Sequence, residues 1–148
     1  MAFKYRLERV LKIREEELDE AILEMKKAEE HLRAVSYDLS ITTEHRNDLH
    51  AELIREGMPH ATLYVRKIKQ LNEKIAKLEK DLQAAQDALI KSKQEVMEAK
   101  TRLETLKRHK DKKHKDYTSE EDRKERIRLD EIGILKHTRE MIESREES

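Results

Sequence analysis

The chain contains no cysteine and no tryptophan, and it has two glycines and one proline in 148 residues. Without cysteine there is no disulfide framework, no thiolate nucleophile and no cysteine-ligated metal, and a cytoplasmic setting is the natural expectation. With so few breakers there is little to punctuate loops, which disfavours a sheet of many short strands. Aromatic residues make up 3% of the chain, too few for an ordinary globular core. Lysine and arginine exactly balance aspartate and glutamate, for a formal net charge of zero. No global field therefore draws the chain to nucleic acid or to a charged membrane. No long apolar run occurs either. The opening segment lacks the apolar core of a signal peptide, and no later window approaches the length of a membrane span, so no direct insertion into a membrane is expected.

What the chain does have is charge, 45% of all residues, with a mean hydropathy of −1.02. Such a composition also suits disorder, but a disordered chain has no reason to keep its leucines on one stripe. Here they follow a spacing of three and four. In the second half the stripe reads Ile68, Leu71, Ile75, Leu78, Leu82, Ala85, Leu89, Ser92, Val96, Ala99, Leu103, Leu106. In the first half it reads Leu7, Val10, Arg14, Ala21, Met25, Ala28, Leu32, Val35, Leu39, Thr42, Arg46, Leu49, Leu53, with Leu11, Leu18 and Ile22 beside its weak stretch. A seven-residue repeat of this kind makes helices supercoil so that a narrow seam stays buried. The expected fold is all-α, a long coiled coil.

The two stripes are joined by Gly57-Met58-Pro59. Glycine suits the end of a helix because it tolerates positive φ, and proline suits the first turn of the next because its missing N–H is not needed there. One helix is expected over about 3–56, a turn at 57–60 and a second helix over about 61–142, the whole forming one antiparallel hairpin stalk. Stripe positions whose numbers add to 117, such as Leu39 with Leu78, Val35 with Leu82 and Leu49 with Ile68, then face each other, with the midpoint on the turn. Short connections favour antiparallel neighbours. In this register Phe3 lies opposite about His114. Met25 with Ser92, Ala21 with Val96 and Arg14 with Leu103 form softer layers.

Beyond Leu106 the stripe positions become Lys110, Lys113, Tyr117, Glu120 and Lys124. Lys107 to Lys115 holds six basic residues and one acidic. Ser119 with Asp122 is a weak helix-start signature, so a break is expected near 118–119. Ile127, Leu129, Ile132, Ile134, Leu135, Met141 and Ile142 then return without an internal partner, a C-terminal helical overhang that reads as a docking surface.

Catalytic patterns are missing. There is no phosphate-binding loop, no zinc-protease motif and no nucleophile triad. His45 and His50 are five residues apart, as are His109 and His114, whereas two helical ligands on one face need a spacing of three or four. These histidines, and the run Glu15-Glu16-Glu17, read as solvated surface. The basic run lacks interleaved aromatics for base stacking and does not lead into a zipper, which argues against nucleic-acid binding. The chain is read as no enzyme, with no metal and no cofactor.

Three segments carry a family resemblance. The first is Phe3-Lys4-Tyr5-Arg6-Leu7-Glu8-Arg9-Val10-Leu11-Lys12-Ile13-Arg14-Glu15-Glu16-Glu17. The second is Ala99-Lys100-Thr101-Arg102-Leu103-Glu104-Thr105-Leu106-Lys107-Arg108, followed by the rest of the basic run. The third is Arg123-Lys124-Glu125-Arg126-Ile127-Arg128-Leu129-Asp130-Glu131. In their order and position relative to the ends, they resemble the flagellar export protein FliJ family. The resemblance implies a two-helix stalk in the bacterial flagellar type III export apparatus, similar to the shaft of a rotary ATPase. Its implied partners are the hexameric flagellar export ATPase, an export-gate membrane protein and the chaperones of export substrates. Its implied place is the cytoplasm, peripheral to the inner membrane at the flagellar base, as a monomer. Carried onto this sequence, the ATPase-binding end comprises Phe3, Tyr5, Leu7, Val10 and Leu11 with Ile127, Leu129 and Ile132. The gate-binding surface comprises Ile41, His45, Tyr64 and Ile68, in a stretch with fewer aromatics than the family pattern. The competing readings are a stalk from a virulence type III system, a rotary-ATPase subunit, or a plain dimeric coiled-coil tether.

Overall fold

The computed structural model describes residues 2–147. Helix α1 runs Glu8–Glu56, a short 3-10 turn covers Met58–His60, and helix α2 runs Ala61–Glu147. There is no strand among the described residues. The two helices pack against each other as a helical hairpin.

The reversal is built as its sequence requires. Gly57 has φ 72°, and its N–H bonds the carbonyl of Leu53 at 3.2 Å, closing the last turn of α1. A side chain at that φ would be strained. Pro59 follows inside the 3-10 turn, where its fixed φ suits the start of α2.

The chain divides into two compact units, with boundaries between Ile13 and Arg14 on α1 and between Arg102 and Leu103 on α2. In the unit spanning 14–102, Val35, Leu49, Ile68, Ile75, Ala85 and Ala99 are buried, and so is Thr42. The remaining stripe positions of both helices are half-buried, and most residues off the stripe are exposed. The buried set is the heptad stripe itself, because only residues on one seam reach the partner helix. Arg46 donates to the Asn72 side chain at 3.2 Å, one residue from its expected neighbour Leu71. From Lys12 to Ala34 no residue of α1 is fully buried. Arg14 occupies a stripe position there, half-buried and paired with Glu17 at 2.9 Å.

In the other unit Leu11 and Leu103 are buried. The first helix begins at Glu8, five residues later than the stripe suggested. Phe3, Tyr5 and Leu7 are half-buried while Lys4 and Arg6 are exposed, the period-two pattern of an extended strap. A helix would put Phe3 and Tyr5 on different sides, since successive residues turn by about 100°. The extended strap lets both rings reach α2.

The break expected near 118–119 does not form: α2 passes through it without interruption. The segment has neither glycine nor proline, and its acids and bases stand three apart. Arg123 pairs with Glu120 at 2.7 Å and Lys124 with Glu121 at 4.0 Å, contacts of the kind that support an isolated helix. Thr118 also donates to the carbonyl of His114 at 3.0 Å, from within the helix.

Candidate partner-binding site

In the unit that holds the strap, aromatic rings join the strap to α2. Phe3 meets His114 edge-on, with centroids 5.0 Å apart, and Tyr117 at 5.5 Å. This is the neighbour that the register assigned to Phe3. The Tyr5 hydroxyl and His109 Nδ1 share a hydrogen bond of 2.5 Å. Glu8 pairs with Lys110 at 2.9 Å, so the lysine at that stripe position is matched by an acid from α1. Between strap and helix lies a cleft of about 350 Å³ lined by Phe3, Lys4, Tyr5, Arg6, Leu7, His109 and Lys113. Its floor is apolar and its rim is basic.

Past Tyr117, α2 has no cover. Every described residue from Thr118 onward is exposed. The tail keeps its apolar residues in view: Ile127 is 46% exposed, Leu129 58%, Ile132 52%, and Ile134 and Leu135 66% each. At about 100° per residue, Ile127, Ile134, Leu135, Met141 and Ile142 share one face, with Ile132 off its edge and Leu129 nearly opposite. The tail is thus an amphipathic helix with a partner-sized stripe.

The residues expected at the ATPase-binding end therefore separate. Ile127, Leu129 and Ile132 are displayed, whereas Leu11 is buried and serves the hairpin. Phe3, Tyr5, Leu7 and Val10 are half-buried, the first two occupied by α2 rings. Ile134, Leu135, Met141 and Ile142, which the sequence places in the same unpartnered overhang, are displayed as well.

Among the residues expected to face the export gate, Ile41 and His45 are exposed and Tyr64 is half-buried. Ile68 is buried at 6% and belongs to the core. Its membership of the stripe, opposite Leu49, already placed it at the seam. Tyr64 donates to the Glu56 carboxylate at 3.1 Å. That bond, with some desolvation and the charges of Glu56 and Glu52, pushes its phenol above the ordinary tyrosine range. Near the turn, Ile54, Leu63 and Val65 are exposed, as is Tyr37 further along α1. The signal that finds them is an apolar residue standing off the stripe.

No group of three or more histidine, aspartate or glutamate side chains among the described residues is arranged to hold a metal ion. No described helix is long and apolar enough to cross a membrane.

The model of the flagellar FliJ protein family matches residues 3–141. The chain belongs to the FliJ family. That span takes in the strap, both helices and most of the tail, so the FliJ match rests on the whole hairpin. Among solved structures, a protein described as a YscO homolog from Chlamydia trachomatis superposes on it with a TM-score of 0.76 and 22% identity. The match covers 93% of this chain and 96% of that one, and it establishes the shared fold. No curated protein matches the chain by sequence. FliJ membership makes this a type III export protein of the stalk or chaperone type.

Proposed function

We propose that the chain is the central stalk of a flagellar type III export apparatus, with its strap-and-tail end bound to the hexameric export ATPase. The observation that carries this reading is the tail: in a FliJ-family hairpin, α2 outlasts α1 and holds an apolar face that nothing covers. Paired long helices give a stiff element. The turn end, with Ile41, His45 and Tyr64 and the exposed Tyr37, Ile54, Leu63 and Val65, suits the export-gate protein and the chaperones of export substrates. The stalk acts as a monomer on the cytoplasmic side of the inner membrane.

The test is stimulation of the purified export ATPase. Ile134→Asp with Leu135→Asp puts two charges on the shared face and should abolish stimulation, because a buried unpaired charge costs several kcal/mol. Leu129→Asp with Ile132→Asp, at the back and edge of that face, should cost less. Both variants should retain the hairpin, whose packed layers end before the tail. Full stimulation by a chain ending before Ser119 would move the working end to the turn.

A further inference from the structure

The stripe on the tail of α2 has a centre, Thr138, and the same apolar pattern on either side of it. At about 100° per residue, Glu131, Ile134, Leu135, Met141, Ile142 and Arg145 all lie within about 60° of Thr138 around the helix, and all are exposed. Counted outward from Thr138, apolar residues stand three and four places away in both directions. Seven places away stands an acid on one side, Glu131, and a base on the other, Arg145. The stripe is thus symmetric in its apolar residues and opposite in the charges at its ends. A surface with that pattern is complementary to its own reverse. Two copies laid antiparallel about Thr138 bring Ile134 against Met141 of the second copy and Leu135 against Ile142 of the second copy. Each contact is made twice, as in any two-fold interface. Glu131 of each copy then meets Arg145 of the other. Laid parallel, the same stripes would set Glu131 on Glu131 and Arg145 on Arg145. Arg145 also interacts within its own chain, and a guanidinium has several N–H donors to share. The copies enter the paired stretch from opposite ends, and the part of α2 that the strap covers stops at Tyr117, so the rest of each molecule stays clear of the pair.

We propose that this stripe is a self-docking face: two copies of the chain pair their tails antiparallel over 131–145, with Thr138 on the two-fold axis. Seven residues a side, against roughly 20–30 in a standard interface, make the pair weak, so it forms as concentration rises and the dilute chain stays single. Pairing removes from water an apolar face that lies bare in the single chain. It draws on the tail's own pattern and takes the face that the stalk reading gives to the ATPase, so the two states exclude each other.

Sedimentation equilibrium of the full-length chain, from micromolar to millimolar concentration, tests the pairing. The parent should pass from monomer to dimer and no further. Glu131→Arg alone and Arg145→Glu alone each set like charges together twice, and each should weaken the pair by about three- to tenfold. The double variant, and an equal mixture of the two single ones, should recover the parent's affinity. Ile134→Asp with Leu135→Asp should leave only monomer, whereas Ile127→Asp, outside the paired stretch, should change nothing. Thr138→Cys should oxidise to a covalent dimer, and Lys136→Cys, on the opposite face, should not. A dimer indifferent to the charge reversals, or not rescued by the swap, is not antiparallel and overturns the proposal. A parent that stays monomeric over the whole range overturns it too, and if Ile134→Asp with Leu135→Asp still fails to stimulate the ATPase, the face belongs to that enzyme alone. Neither result touches the stalk reading, whose own test is ATPase stimulation.

Discussion

Ile41 and Ile68 are the same residue type on the same hairpin with opposite burial, and position alone decides it. Ile68 stands on the seam at 6% exposure, while Ile41 stands off it at 45%. Ile68→Ala should therefore cost about 2–5 kcal/mol of hairpin stability, the usual toll for emptying a packed site. Ile41→Ala should stay within about 0.5 kcal/mol and show itself only in binding to the gate protein. Thermal melts of the two variants check this; equal losses would mean that the seam is misplaced. Tyr64 offers a second check. Its phenol is raised by the bond to Glu56, so the bond's contribution is complete below the ordinary tyrosine pKa and fades as pH climbs through the higher folded value. A spectrophotometric titration of the phenols should show Tyr64 ionising late, and Glu56→Gln should bring it back toward its ordinary range. An unchanged titration in that variant would remove Glu56 as the cause.

At the scale of the element, the stripe was legible because one buried seam imposes one period on every helical residue that touches it. The end of α1 was legible for a local reason: Gly57 and Pro59 are the only residues nearby whose backbone chemistry dictates a reversal. Leu7 and Val10 continue the seam backwards, which predicts helix where the strap stands. The alternation Phe3-Lys4-Tyr5-Arg6-Leu7 carries period two, and it won because two rings gain partners on α2. The break near Ser119 failed for the converse reason. A capping signature acts only where a helix must begin, and i,i+3 ion pairs carry α2 straight through. The displayed tail was readable as apolar residues without a partner, but which of them share a face required the uninterrupted helix. The stripe also predicts uneven stability. No residue of α1 is fully buried between Leu11 and Val35, and less apolar area removed from water means less stabilisation, at about 25 cal/mol per Å². Amide exchange should be faster at Arg14 to Met25 than at Val35 to Leu49. Uniform protection along α1 would show that the half-buried layers pack as well as the leucine-rich ones.

The whole molecule turns on whether each seam is filled by the same chain or by another copy. A parallel dimer could use the same leucines, but it would have to carry a continuous helix through a glycine at positive φ and a proline. The hairpin uses both residues, and it explains why Phe3 meets His114 and why Arg46 meets Asn72. It also explains the mismatch in length. α1 has 49 residues and α2 has 87, so once the two are paired back from the turn, α2 must run on alone. An exposed apolar tail is costly to solubility unless it has a destination, and a dimer of two equal chains would leave no such remainder. Cysteines at Leu39 and Leu78, in a chain that has none of its own, should oxidise to an intramolecular bridge that speeds migration on a non-reducing gel. The same protein should sediment as a monomer when dilute. If the bridge forms only between chains, the leucines are shared by two copies, the tail becomes one end of a long tether, and the stalk reading loses its structural basis.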